Sequence, residues 1–378
     1  MKKIRNIIAI VTAVMLTLSL SACHPKDEVA VNVTDKKTKT SVELSSADYL
    51  YALINATMEA QQLISQENSD EEEIKDFSKY KVVETNEEGK ETKTEYYKWI
   101  DNRKEELLRD QAGAMIKTKD LKLKLDENTE SMGKYYASMY WSYYYASTFE
   151  KNGVSYETYE DISLNSYYKN QYFLSIYDKD GTNPVDEKII SEDFYANYVL
   201  ANAITIDIAE KDETTGKIEG LDLKAAEKLL KGYKDRLADG EKFEKIYHEY
   251  EEKYMVSEET EEDHDHEHDH SAMAVVYGSE RTTSASEYFK DIDKMKKGAV
   301  KILTSEDKSQ IILVEKLDIS ADKEKYYDSY RETVLHMIKD DEFNAAFEDY
   351  CEDLKVEYVE SATKRLKVDK IDLSTETE

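Results

Sequence analysis

The pattern of apolar and polar positions is clearest between residues 203 and 317. Ala203-Ile204-Thr205-Ile206-Asp207-Ile208 alternates with the period of two that a strand requires and puts its isoleucines on one face. A helical period follows. Leu223, Ala226, Leu230, Tyr233 and Leu237 share one stripe, and Gly240 is placed to end it. Phe243, Ile246, Tyr247, Tyr250 and Tyr254 repeat that period. Ala274-Val275-Val276-Tyr277-Gly278 predicts a short strand, and residues 286–297 predict a third helix stopped by Gly298. Val300-Lys301-Ile302-Leu303 and Gln310-Ile311-Ile312-Leu313-Val314, joined through Ser305-Glu306-Asp307-Lys308, predict a hairpin.

The flanking regions are mainly helical. A helix is predicted from residue 46 to about 64, with Leu50, Leu53, Ile54 and Met58 on one side. Residues 79–93 predict a hairpin turning at Asn86-Glu87-Glu88-Gly89, and a long helix follows over 99–123. Another helix, over 132–151, carries Tyr135, Tyr136, Met139, Tyr140, Trp141, Tyr143, Tyr144, Tyr145 and Phe149. These lie all around it, so no single face can bury them. The helix is expected to be deeply buried or to line a groove, with most of these residues in the core. Tyr140, Trp141, Tyr144 and Tyr145, with Phe289, are the candidate contacts for a bound polypeptide. Residues 322–354 predict a last long helix, followed by Val356-Glu357-Tyr358-Val359 and the segment 364–372. The fold class expected is α+β, mainly α.

The N-terminus sets the address. Lys2, Lys3 and Arg5 precede an apolar run over 7–18, and Leu20-Ser21-Ala22-Cys23 follows directly. This is the pattern of a secretory signal, residues 1–22, ending in a lipoprotein box, with Cys23 the acylated residue. The apolar run is shorter than the ~20 residues of a membrane span. Two acyl chains on Cys23 would hold the protein at the extracytoplasmic face of the cell membrane. Residues 23–45 are polar and charged, and are expected to be a flexible linker. With Cys23 acylated, Cys351 is the one thiol left and is expected to be a small packed residue.

Charge narrows the partners. The net charge of −30 excludes nucleic acid, whose phosphates would repel it. Thirty tyrosines against eight phenylalanines offer amphipathic contact surface with few rotamers to freeze; a codon-biased genome is the alternative. Asp263-His264-Asp265-His266-Glu267-His268-Asp269-His270 alternates imidazoles with carboxylates, a donor set that suits Zn²⁺ or another divalent transition metal. His264, His266, His268 and His270 are therefore candidate ligands. The alternative is a solvated acidic loop, residues 258–271, whose histidines do no more than charge below neutral pH. No cofactor is required by anything else in the sequence.

The strand–helix–helix–strand–helix–hairpin order resembles the parvulin-type prolyl isomerase domain. Leu237-Ala238-Asp239-Gly240-Glu241-Lys242-Phe243 is similar to that family's G-x-x-F junction. Met295-Lys296-Lys297-Gly298-Ala299-Val300 and Ser309-Gln310-Ile311-Ile312-Leu313-Val314 are similar to its last helix end and last strand. The stretches 149–159 and 185–195 have the rhythm that precedes this domain in PrsA-type and SurA-type foldases, related in plan to trigger factor. The resemblance implies a helical chaperone-type domain over 46–196, a parvulin-like domain with a small antiparallel sheet over 197–320, and a helical return over 321–378. Parvulins carry a histidine in the first and in the last strand. Here those positions fall on Ala203 (Asn202 if the register slips by one) and Gln310. The implied function is a membrane-anchored extracytoplasmic chaperone for unfolded exported polypeptides, without strong isomerase activity. An active parvulin-type isomerase and a metal-binding lipoprotein are the alternatives.

Overall fold

The structure, a computed structural model, describes residues 28–69, 74–86, 89–209, 220–254 and 273–373. The signal segment, Cys23 and the tract of His264, His266, His268 and His270 lie outside the described residues. Among the described residues no helix is long and apolar enough to cross a membrane. The fold is α+β and mainly helical, and the chain divides into two compact units. One is Met1–Asn183 with Asp341–Glu378, the other Pro184–Asp340.

The first unit begins where a linker was expected. Strands β1 (Val29–Thr34) and β2 (Ser41–Ser45) pair antiparallel, with Val31 opposite Leu44 and Val33 opposite Val42. The flexible linker over 23–45 is therefore corrected from Glu28 onward. Ala30, Val31, Val33 and Leu44 are fully buried. Each Val or Leu removed from water stabilises by about 1.5–3 kcal/mol, enough to order a stretch whose other residues are polar. Helix α1 (Ser46–Glu67) starts in a capping box: the Ser45 hydroxyl accepts from the Asp48 N–H at 3.2 Å, and the Asp48 carboxylate accepts from the Ser45 N–H at 2.8 Å. It buries Leu50, Leu53, Ile54 and Ile64 but leaves Met58 exposed. Strands β3 (Lys81–Thr85) and β4 (Glu91–Glu95) form the expected hairpin, and α2 (Tyr96–Leu121) packs Trp99, Ile100, Leu108 and Ile116 into the same core as α1. Then come α3 (Glu127–Tyr140), a π-helical turn (Trp141–Tyr145), α4 (Ala146–Lys151) and α5 (Tyr156–Tyr177).

The second unit runs α6 (Glu187–Asn197), β5 (Tyr198–Asp207), α7 (Leu223–Ala238), α8 (Phe243–Tyr254), β6 (Ala274–Gly278), α9 (Phe289–Asp293), β7 (Val300–Thr304) and β8 (Gln310–Lys316). Its antiparallel sheet has the order β6-β5-β8-β7. Strand β5 begins at Tyr198, before the alternating run, because Tyr198 to Ala203 is buried on both faces. Ile204, Ile206, Ile311 and Leu313 pack against Leu230, Tyr233, Phe243 and Ile246 of α7 and α8. Ala201, Ala203, Ile312 and Val314 face Tyr288, Phe289, Ile292 and Met295 instead. Gly240 and Gly298 end their segments at φ +93° and +74°, a region in which a side chain is strained. The helix expected over 286–297 closes only over Phe289–Asp293, and turns on either side bring Tyr288 and Met295 to the same cluster. Phe194 stacks on Tyr198 at 5.2 Å and meets Tyr327 at 5.5 Å, so α6 and residues 324–330 pack in this unit rather than in the flanking helical domain.

A second π-helical turn (Glu324–Asp328) leads into α10 (Ser329–Glu352), whose residues from Asp341 on count with the first unit. There β9 (Lys355–Tyr358) pairs with β1, Val356 opposite Val33, completing a sheet of order β2-β1-β9; the short α11 (Glu360–Thr363) follows. Arg109 donates to the carbonyls of Cys351 (3.1 Å) and Leu354 (2.5 Å) at the carboxyl end of α10, where the helix dipole favours a cation.

Candidate functional site

The tyrosine-rich helix resolves into two kinds of aromatic residue. Asp126 caps α3, accepting from the Asn128 and Thr129 N–H groups, both at 3.0 Å. Gly133 then lets α5 approach closely: a Cβ there would stand 2.8 Å from a Leu164 methyl carbon. Ala137, Trp141, Tyr145 and Phe149 follow at four-residue spacing. On a turn of 3.6 residues that spacing drifts by about 40° per step. The π-helical turn, in which the Ala146 N–H bonds to the Trp141 carbonyl, is wider and takes up the drift, so the apolar series stays on one face.

That face is core. Trp141 and Phe149 are buried, stacked at 6.2 Å, and Tyr159 lies 5.4 Å from the Trp141 ring. Tyr145 is half-buried against Phe149 and Tyr159 at 5.5 and 5.3 Å. Burial pushes the neighbouring Tyr51 phenol up to about 12 and raises that of Tyr159. Of the expected polypeptide contacts, Trp141 therefore belongs to the packing. Phe289 does too, buried beside Ile292 on the α9 face of the second unit.

The remaining rings are in water. Tyr135, Tyr136, Tyr140, Tyr143 and Tyr144 are between 41% and 76% exposed, and Met132 is 44% exposed beside them. The expectation that most of this helix is core is thus overturned. A phenol can place its ring on a surface and its hydroxyl in solvent, so an aromatic stripe need not be buried. The rings touch one another: Tyr135 and Tyr136 at 5.6 Å, Tyr140 and Tyr144 at 6.1 Å, Tyr143 and Tyr144 at 6.3 Å. Exposed rings grouped in this way make the stretch a candidate interaction surface. Of the residues singled out from sequence, Tyr140 and Tyr144 lie on it, with Tyr145 at its edge. Tyr135, Tyr136 and Tyr143 were passed over, although the runs Tyr135-Tyr136 and Tyr143-Tyr144-Tyr145 signal residues on more than one face.

In the second unit, Ala203 is buried opposite Val314, and Gln310 stands opposite Asp207. Both lie on the α9 side of the sheet. They are four residues apart along β5, about 13 Å at 3.3 Å per residue, so the structure does not bring them together. The Gln310 amide is engaged twice: Oε1 accepts from the Tyr288 hydroxyl at 3.3 Å, and Nε2 donates to Asp207 at 2.9 Å. Burial raises the Tyr288 phenol, with Glu287 adding to the effect. Asn202 donates to Glu315 at 3.0 Å. This network was not foreseen, because pairing of β5 with β8 joins residues about a hundred positions apart.

A cavity of about 400 Å³ in the first unit is lined by Arg103, Arg109, Asp110, Lys169, Phe347 and Cys351, but its cations are paired, Arg103 to Glu59 at 2.8 Å, Lys169 to Asp110 at 2.7 Å and Arg109 to Glu105 at 2.7 Å. Burial pushes the Cys351 thiol up to about 12, so it is no nucleophile at neutral pH. Among the described residues no group of three or more His, Cys, Asp or Glu side chains is placed to hold a metal ion.

No protein-family model matches the chain, and no curated protein matches it. Among solved structures it is similar to foldase protein PrsA from Streptococcus pneumoniae, with 13% identity, 71% of this chain and 92% of that one covered, and a TM-score of 0.40. It is also similar to foldase protein PrsA from Lactococcus lactis, with 14% identity, 71% and 87% covered, and a TM-score of 0.35. A third is PrsA from Bacillus subtilis, with 15% identity, 78% and 95% covered, and a TM-score of 0.29.

Proposed function

We propose that this protein holds unfolded exported polypeptides at the extracytoplasmic face of the membrane, tethered through a lipid on Cys23. The exposed tyrosine face of α3 and the π-helical turn carries this reading. It presents rigid amphipathic rings that gain little from water and freeze few rotamers on contact. No covalent step is involved. Prolyl isomerisation is slow or absent in this reading, because Ala203 offers no side-chain hydrogen bond and the Gln310 amide is held by Asp207 and Tyr288.

One refolding substrate tests both halves. Its folding should be limited by an X–Pro bond, which isomerises unaided in tens to hundreds of seconds, and it should aggregate when diluted from denaturant. At near-stoichiometric ratio the full-length chain is expected to suppress light scattering severalfold and to leave the slow phase unchanged. Tyr135→Ala/Tyr140→Ala/Tyr143→Ala/Tyr144→Ala should lose most of the suppression. No suppression across several unrelated substrates, or suppression untouched by the fourfold variant, would sink the reading. A slow phase accelerated as strongly as by an intact parvulin would make the protein an isomerase instead.

A further inference from the structure

The exposed rings lie in a stretch of the chain with an excess of carboxylates. From the cap Asp126 to Asp161 there are seven carboxylates, Asp126, Glu127, Glu130, Glu150, Glu157, Glu160 and Asp161, against two lysines. Both lysines already have carboxylate partners: Lys134 meets Glu130 at 2.5 Å and Lys151 meets Asp372 at 3.5 Å. Helix α5, which carries Glu160 and Asp161, packs on α3 at Gly133, where its Leu164 and Tyr167 come closest. The Glu130 carboxylate raises the Lys134 ammonium, and Glu160 and Asp161 add to it. The stretch that carries the rings is therefore net negative, and both of its lysines are engaged by carboxylates.

A tyrosine face is itself an acceptor for cations. Its π cloud attracts a guanidinium or ammonium placed over the ring, and Arg stacks flat against it. Tyr135, Tyr140, Tyr143 and Tyr144 are all exposed and so within reach of a ligand's side chains. Leucine or phenylalanine would supply the same apolar area, but leucine lacks the π cloud and phenylalanine the wetted hydroxyl.

We propose, resting on the polypeptide-holding reading, that this face selects extended segments in which arginine or lysine alternates with apolar residues, and rejects acidic ones. The rings take the cationic side chains and the apolar contacts together. The surrounding carboxylates raise the local concentration of basic segments and repel acidic segments and anionic surfaces.

Three labelled extended peptides of equal length and apolar content, carrying four Arg, four Gln or four Glu, test this by fluorescence anisotropy with the full-length chain. At 50 mM salt the Arg peptide is expected to bind at least tenfold more tightly than the Gln peptide, and the Glu peptide more weakly still. At 500 mM salt the Arg preference should shrink to less than threefold, because exposed charges are then screened. Tyr135→Leu/Tyr140→Leu/Tyr143→Leu/Tyr144→Leu keeps the apolar area and should lose at least fivefold of the Arg preference while its circular dichroism melting curve stays unchanged. Equal binding of the three peptides would overturn the charge selection and leave polypeptide holding intact. No binding of any peptide would remove both. An Arg preference undiminished in the fourfold leucine variant would show that this face is not the reader.

Discussion

At residue scale, a tight and testable contact lies where α2 meets α10 in the first unit. Gly113 is buried, and a Cβ there would stand 2.6 Å from the Cys351 Sγ and 3.3 Å from the Phe347 ring. In an open helix, Gly→Ala gains up to about 1 kcal/mol of helix propensity. Here an added methyl overpacks a filled contact, at a cost of about 1–3 kcal/mol. The sulfur is one bond from its own Cβ and has little room to swing. Gly113→Ala is therefore expected to lower stability by about 1 kcal/mol net, read as a reduced urea midpoint at constant slope. Cys351→Ala alone should cost about 1–2 kcal/mol through the cavity it leaves. The double variant conserves volume, since the new methyl occupies the space of the lost sulfur. It should return to within about 1 kcal/mol of the parent, a coupling expected only of residues in contact. Simple additivity of the two losses would show that the two helices do not meet there as described.

Elements separate what the sequence reveals from what it hides. The strands and helices of the second unit were legible because their apolar residues keep one period, and glycines at positive φ mark where two of the segments stop. Strands β1 and β2 were hidden by the polar, charged segments around them and by a partner of β1, β9, more than three hundred residues away. The tyrosine helix was half legible. Its composition pointed to aromatics all around the helix, but a tyrosine fits core and solvent alike, and four-residue spacing does not show whether a helix widens into a π turn or lets its stripe drift. Hence Trp141 was counted as a contact and Tyr143 was not. The division can be measured. Trp141→Ala removes a stacked, buried ring and should cost about 3–5 kcal/mol. Tyr144→Ala, on the open side of the same turn, should change stability by no more than about 0.5 kcal/mol. Chemical denaturation of both variants decides it. A large loss for Tyr144→Ala, or a small one for Trp141→Ala, would mean that the turn presents the opposite faces.

Over the whole molecule, charge decides how the protein can be held at a membrane. A chain with net charge −30 is repelled by an anionic leaflet, which draws in basic segments at about 1 kcal/mol per Lys or Arg. The repulsion reaches roughly a Debye length, about 8 Å at physiological salt. No described helix can span the bilayer. In the proposed function the attachment rests on acylation at Cys23, the expectation drawn from Leu20-Ser21-Ala22-Cys23. One acyl chain alone binds marginally, with an association constant of roughly 10⁴ M⁻¹, and two make the attachment stable. Cys23→Ala is then expected to move the protein from the membrane fraction to the soluble fraction and to abolish acyl labelling. The released protein should not pellet with vesicles rich in anionic lipid at any ionic strength, because nothing in its charge favours them. Its suppression of aggregation should match that of the parent in detergent, since the tyrosine face lies more than a hundred residues along the chain from the lipid. Membrane retention unchanged in Cys23→Ala would end the lipoprotein reading. Salt-sensitive binding of the variant to anionic vesicles would show instead that a basic surface, not the lipid, holds the protein there.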